Sequence, residues 1–195
     1  MSFKKYEYVA PVPPTGLIGC NNYTLSFTER KFVNIGIDPT DTFPVKVQII
    51  TPSRYVYQTP DVLTQIFSLM DEILSILLDT AKYKFHLFLE TAIFKLSRCV
   101  YKKENVLALE SKTATGCRII LNKQDLFALQ NLELCIFETV ARKTAISRPS
   151  VLKQFSQIVR CTDAEITKMT TPPAHINGIQ MFIESLPENR LLAGT

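Results

Sequence analysis

Arg54-Tyr55-Val56-Tyr57-Gln58-Thr59-Pro60-Asp61-Val62-Leu63 is the stretch on which the reading of this chain turns, because the apolar period changes inside it from two to 3.6. Tyr55, Val56 and Tyr57 read as a strand. Thr59-Pro60-Asp61 then supplies a capping hydroxyl, a proline suited to the first helical position and an acid for the first turn. Beyond them Val62, Leu63, Ile66, Phe67, Leu69, Met70, Ile73, Leu74 and Leu77 recur at helical spacing, predicting a long amphipathic helix to about Asp79. The same passage returns 63 positions later, with Arg118 to Leu121 as strand, Asn122 as cap and Lys123 to about Arg142 as helix. At that one offset Val56 falls on Ile119, Thr59 on Asn122, Leu63 on Leu126, Ile66 on Leu129, Leu69 on Leu132 and Ile73 on Ile136. Apolar periodicity alone would align any two strand-turn-helix units, but agreement of strand, cap and core face at a single offset points to an internal duplication.

Outward from these two anchors the period is two. Leu25 and Phe27 alternate with polar neighbours, as do Val33, Ile35 and Ile37 after a turn near Glu29-Arg30-Lys31, and Val45, Val47 and Ile49 after Asp38-Pro39-Thr40-Asp41. In the second half Phe85 to Leu89, Phe94 to Val100 and Val106 to Lys112 precede the strand at Arg118. The expectation is an α+β chain: two ββββα repeats, residues 23–80 and 83–143, form a core domain over 23–143 with antiparallel sheets packed on two long helices. Residues 1–22, with Pro11, Pro13, Pro14, Gly16 and Gly19, read as an extended arm. Residues 144–195 read as a helical extension: a helix over Val151 to Arg160, a short piece near Glu165-Ile166 and another turn or two over 177–186.

The chain has 195 residues, 46% of them hydrophobic and 21% charged, with a formal charge of +4, which suits a folded domain and permits an anionic partner. Cys20, Cys99, Cys117, Cys135 and Cys161 are odd in number and form no C-x-x-C pair. They are read as reduced thiols, with Cys99, Cys117 and Cys135 buried as small hydrophobes. No secretory leader follows the first lysines and no run reaches the about 20 apolar residues of a membrane span. The expectation is an intracellular protein of nucleus or cytoplasm, not secreted and without a membrane partner.

Catalytic chemistry finds little support. His86 and His175 sit in no nucleophile or metal motif, glycine-rich phosphate loops are absent, and Asp71, Glu72 and Glu133 read as solvated helix faces. No catalytic residues, metal or cofactor are expected. What stands out is cations interleaved with aromatics on strands. Lys82, Lys84, Lys95, Arg98, Lys102 and Lys103 fall in 22 residues whose single acid is Glu90, and the first repeat carries Arg30, Lys31, Lys46 and Arg54 with Tyr55 and Tyr57. Sheet surfaces that pair cations for phosphates with rings for base stacking suit single-stranded nucleic acid, although edge strands also carry lysines simply to discourage aggregation. The candidate binding set is Arg30, Lys31, Lys46, Arg54, Tyr55, Tyr57, Lys84, Lys95, Arg98, Tyr101, Lys102, Lys103, Lys112 and Arg118.

Four antiparallel strands followed by one helix, twice over, resemble the Whirly and positive-cofactor-four superfamily of single-stranded-nucleic-acid-binding proteins. The stretch Gly116-Cys117-Arg118-Ile119-Ile120-Leu121-Asn122-Lys123-Gln124-Asp125-Leu126-Phe127-Ala128-Leu129 is similar to the last strand, cap and first helical turns of a cofactor-type unit, and Arg54 to Phe67 is its weaker twin. The lysine-glycine-lysine signature of plant Whirly proteins has no counterpart, which leaves room for a divergent or viral member. The resemblance implies helices at the centre of an oligomer, sheets splayed outward and bases against strand edges. Together these readings give a non-catalytic protein for single-stranded DNA, ahead of RNA, in replication, transcription or genome protection. The alternative is a homo-oligomeric scaffold, viral or otherwise, without nucleic-acid binding. The helices' apolar breadth predicts a homodimer or homotetramer contacting through Phe67, Met70, Leu74, Leu77 and Leu78.

Overall fold

Alternation along the chain becomes two four-stranded antiparallel meanders in the computed structural model. It describes residues 14, 16–40, 42–81, 85–113, 117–168 and 176–185. The first sheet runs β1 (Ile18–Ser26), β2 (Lys31–Ile37), β3 (Val45–Ile50) and β4 (Tyr55–Gln58) in sequence order. The second runs β5 (His86–Glu90), β6 (Phe94–Tyr101), β7 (Glu104–Ser111) and β8 (Arg118–Leu121). Register puts Val33, Ile49 and Val56 in one row and Ile35 beside Val47 in the next, so the first sheet has one apolar inner face. Leu96, Leu109 and Ile119 make the matching row of the second. β1 begins inside the stretch expected to be an arm. Gly19, at φ +58°, and a register shift between Ile18 and Asn21 bend the strand there, so the glycine admits a bulge instead of ending the pairing.

Each expected long helix is two helices: α1 (Pro60–Ser68) and α2 (Met70–Leu78), then α3 (Lys123–Asn131) and α4 (Glu133–Arg142). The breaks fall at Leu69 (φ −97°, ψ 2°) and Leu132 (φ −91°, ψ −3°), again 63 positions apart. At each the hinge N–H is shared between two carbonyls, Gln65 and Ile66 for Leu69, Ala128 and Leu129 for Leu132, all at 3.1–3.2 Å. The turn tightens there without glycine or proline. Start and break of the helices thus repeat at the offset that aligns the sequences, whereas their ends differ: α2 stops at an extended Asp79 and α4 runs on into further helical turns.

The break redirects the second half of each helix. α1 packs on β3 of its own sheet, whereas α2 packs on β7 of the other and on α3. α3 covers β8 and also β1, and α4 reaches β2. Tyr23 on β1 locks this crossing, its hydroxyl sharing a hydrogen bond with Thr139 Oγ1 (2.6 Å) on α4. Phe67 and Phe137 meet with ring centroids 5.3 Å apart. The surplus apolar surface expected to need a second chain is therefore covered within one: Phe67, Met70, Leu74 and Leu77 are buried, and of the expected contact residues only Leu78, 58% accessible, is exposed. Asn105 closes the far end of α2, its amide N–H groups reaching the carbonyls of Ile76, Asp79 and Thr80 at 3.0–3.3 Å.

The chain divides into two compact units, residues 1–144 and 145–195. In the second, the expected helix and short piece are one helix, α5 (Arg148–Thr167), followed by α6 (Ile176–Ser185). Thr162, just ahead of the expected short piece, donates its hydroxyl to Ile158 O at 2.9 Å and sits inside the helix as an ordinary member. All five cysteines are free, and Cys117 is buried while Cys99 is half-buried. Cys135 is exposed, contrary to expectation, because one position on a helix turns a side chain about 100° away from the buried Ile136. No helix among the described residues is long and apolar enough to cross a membrane.

Candidate nucleic-acid interface

The last strands of the two sheets, β4 and β8, lie against one another, and Arg54 Nη1 donates to Arg118 O at 3.4 Å across the junction. A cleft flanks each strand. Beside β8 is a groove of about 310 Å³ lined by Glu29, Lys31, Arg54, Tyr101, Lys102 and Arg118, among others. Five candidate residues read from separate strands and turns converge there. Beside β4 is a second cleft of about 230 Å³, which takes three more: Lys46, Tyr55 and Tyr57.

In the β8 cleft the cations differ in what else they do. Arg118 makes no ion pair among the described residues, and its Nε is shut off from water without a partner. Lys102 lies over the Tyr101 ring, 5.4 Å from its centroid, at the β6–β7 turn. Both residues of that turn have positive φ, 49° at Lys102 and 67° at Lys103, the mirror-image turn that normally takes Asn-Gly. Two exposed lysines are therefore held in a conformation that L-residues resist.

Lys31 is a correction. It is buried at 8%, its ammonium 2.6 Å from Asp125 Oδ2 and 2.5 Å from Glu29, so its charge holds β2 to α3 and is not offered to a ligand. Burial pulls its pKa down, but the hydrogen bonds and charges of Asp125 and Glu29 outweigh burial and leave it above the ordinary lysine value. Arg98 is a second correction: at 7% accessibility it stands on the inner face of β6, opposite Leu107. Period two along β6 places it with Phe94 and Leu96, as it places Lys31 with Val33 and Ile35, and that parity was readable from the sequence.

In the β4 cleft Tyr55 and Tyr57 alternate with the buried Val56 and meet edge to face at 5.2 Å. Burial, followed by the neighbouring Cys117, holds the Tyr55 phenol above its ordinary pKa. Lys46 lies 5.3 Å from the Tyr57 centroid and is ion-paired with Asp38. Burial raises the Asp38 carboxyl, but the Lys46 hydrogen bond prevails and leaves it below the usual carboxylate range. Gln58 lines the same cleft, is 2% accessible, and has neither amide atom hydrogen-bonded.

The remaining described candidates line neither cleft. Arg30 is exposed at φ 51° in the β1–β2 turn, and Lys103 is exposed at the β6–β7 turn. Lys112 is paired with Glu90 at 2.7 Å and donates to Thr91 O at the same distance. Lys95 lies over Phe85 at 5.1 Å, in a row where register aligns Glu90, Lys95, Glu110 and Arg118. Lys95 thus stands between two acids of opposite sign to its own. Lys84, with Lys82, lies outside the described residues.

The sequence reading passed over the corresponding row of the first sheet. There Asn22 Nδ2 donates to Asn34 Oδ1 at 2.7 Å and Asn34 Nδ2 to Gln48 Oε1 at 3.2 Å, and Gln48 stands beside Tyr57 in register. Each amide alternates with a core residue, which was visible, but that they line up across strands depends on register, which was not. Gln48 Nε2 ends the row without a hydrogen-bond partner.

Among the described residues no group of three His, Cys, Asp or Glu is placed to hold a metal ion. The arrangement offers guanidinium and ammonium donors in one cleft and aromatic rings in the other. No protein-family pattern matches the chain, and no curated protein matches it in sequence.

Proposed function

We propose that this chain is a non-catalytic binding protein for single-stranded nucleic acid, DNA ahead of RNA, serving replication, transcription or genome protection. The observation that carries the reading is the β8 cleft, where Arg54, Lys102 and Arg118 come together beside Tyr101 although they are 64 positions apart at the extremes. Guanidinium groups bind phosphate oxygens in pairs of hydrogen bonds, and an aromatic ring accepts any base face. The similarity of the ββββα units to the Whirly and positive-cofactor-four superfamily supports the same reading at the level of architecture alone.

Equilibrium binding of labelled oligothymidylate, oligouridylate and duplex DNA across a salt series tests it. Single strands are expected to bind more tightly than duplex, with affinity falling as salt rises by a slope of about 0.7 per phosphate contacted. Weak and equal binding to single and double strands would favour a scaffold instead. Assembly into a homodimer or homotetramer belongs to the proposal too. It would draw on apolar residues left exposed, Leu78, Phe127 and Leu134 among them, and light scattering at micromolar concentration reads it directly.

A further inference from the structure

We infer that the two clefts are one ancestral site present twice and since divided in labour, the β8 cleft taking the phosphates of a strand and the β4 cleft an adjoining base. The inference rests on the nucleic-acid reading and says how the ligand lies. Its starting point is the offset of 63 positions. It carries Tyr55, Val56, Tyr57 and Thr59, which line the β4 cleft, onto Arg118, Ile119, Ile120 and Asn122, all of which line the β8 cleft. In the reverse sense Arg54 in the β8 cleft corresponds to Cys117 in the β4 cleft. The backbone positions are equivalent while the chemistry has been exchanged. Where one cleft has an aromatic ring the other has a guanidinium, and where one has a guanidinium the other has a small thiol.

What each cleft can hold follows from its donors. In the β8 cleft neither Arg118 nor Lys102 has an ion pair among the described residues, Lys102 lies over the Tyr101 ring, and the remaining acid, Glu29, is engaged by Lys31. A net positive charge remains for an anion. In the β4 cleft the cation, Lys46, is neutralised by Asp38, so nothing there favours a phosphate. Tyr55 and Tyr57 supply ring surface on the outer face of β4 for a base to stack on. The clefts adjoin through single peptide units, since Arg54 and Tyr55 are consecutive and line one cleft each, as do Arg118 and Cys117. Consecutive Cα atoms are only about 3.8 Å apart, so phosphate and base sites lie within the reach of neighbouring nucleotides.

The test compares oligothymidylate with an abasic sugar-phosphate strand of equal length, by fluorescence anisotropy across a salt series, using the full chain. Wild type is expected to bind the base-bearing strand about tenfold more tightly than the abasic one. Tyr55→Leu with Tyr57→Leu should remove that difference and leave abasic binding and the salt slope as they were. Arg118→Gln should weaken both strands equally and lower the slope by about 0.7, with Arg118→Lys restoring most of it. Thermal melting of each variant identifies any that fails to fold, and for such a variant the single substitution Tyr57→Leu, or Arg118→Met, gives the same comparison. Tyrosine variants that weaken both strands alike, or an Arg118 variant that spares the abasic strand, would overturn the division while leaving nucleic-acid binding standing. Failure of the wild type to bind any strand at low salt would remove both.

Discussion

In the first repeat the helix starts on one hydroxyl: Thr59 Oγ1 accepts from Val62 N at 3.3 Å, and nothing reciprocates. In the second, Asn122 accepts from Asp125 N at 3.0 Å while Asp125 Oδ2 accepts from Asn122 N at 2.8 Å, and Lys31 of the other sheet joins the same oxygen. The two starts occupy equivalent positions and break at equivalent leucines, yet only one is tied to the opposite repeat by a buried ion pair. The outer faces part in the same way, one into an amide row and the other into alternating charges. Duplication has kept what the crossing of helices requires and released what faces water. Joining both copies in one chain makes this feasible, because a symmetric dimer of identical subunits must carry each substitution twice.

The largest test of that contrast is at the caps. Asp125→Ala should cost about 3 kcal/mol by taking one of two carboxylates from a buried ammonium and losing a cap, against about 1 kcal/mol for Thr59→Ala, both read from urea midpoints. The Lys31 contribution has a definite pH sense. Its pKa is raised on folding, so the stabilisation is complete below the ordinary lysine value and is lost as pH rises through the elevated one. Alkaline titration of stability should show this loss in wild type and not in Lys31→Met.

Next in size is the β6–β7 turn. Replacing Lys102 and Lys103 together by Asn-Gly relieves two positive-φ penalties and should stabilise the fold by about 1–2 kcal/mol, while weakening oligonucleotide binding through the loss of Lys102. A gain in stability without any loss in binding would show that the strained lysines serve no ligand. Asp38→Asn should cost at most about 1 kcal/mol. With the Asp38 carboxyl depressed on folding, its contribution is present above the ordinary aspartate value and disappears as pH falls through the lower folded value. Acid denaturation of the variant should therefore lose that part of its pH dependence. Smallest of all, Lys95→Ala should change stability by less than about 0.5 kcal/mol and leave binding untouched, since Glu90 and Glu110 flank it in register and it lines neither cleft.

Sequence carried the repeat because caps and strand parity are local: Thr59, Asn122, Val56 and Ile119 announce themselves within a few residues. The breaks at Leu69 and Leu132 carry no local mark, being turns tightened where each helix must leave one sheet for the other. Charge misled where parity was neglected, at Lys31 and Arg98, both of which alternate with core residues and are buried accordingly. The clefts were hidden for a different reason. Arg54 and Arg118 meet, and Tyr101 comes alongside, only through the packing of β4 against β8, a long-range contact that no window of sequence contains.

The crossing of helices also fixes an order of events during synthesis. Tyr23 waits for Thr139, 116 positions on, and Lys31 for Asp125, 94 positions on. At translation rates of about 5–20 residues per second, the first sheet exists for on the order of 5–25 seconds before the elements that cover β1 and β2 have been made. Contacts of such sequence separation slow folding, so the first two strands gain their full set of partners only once α3 and α4 have emerged.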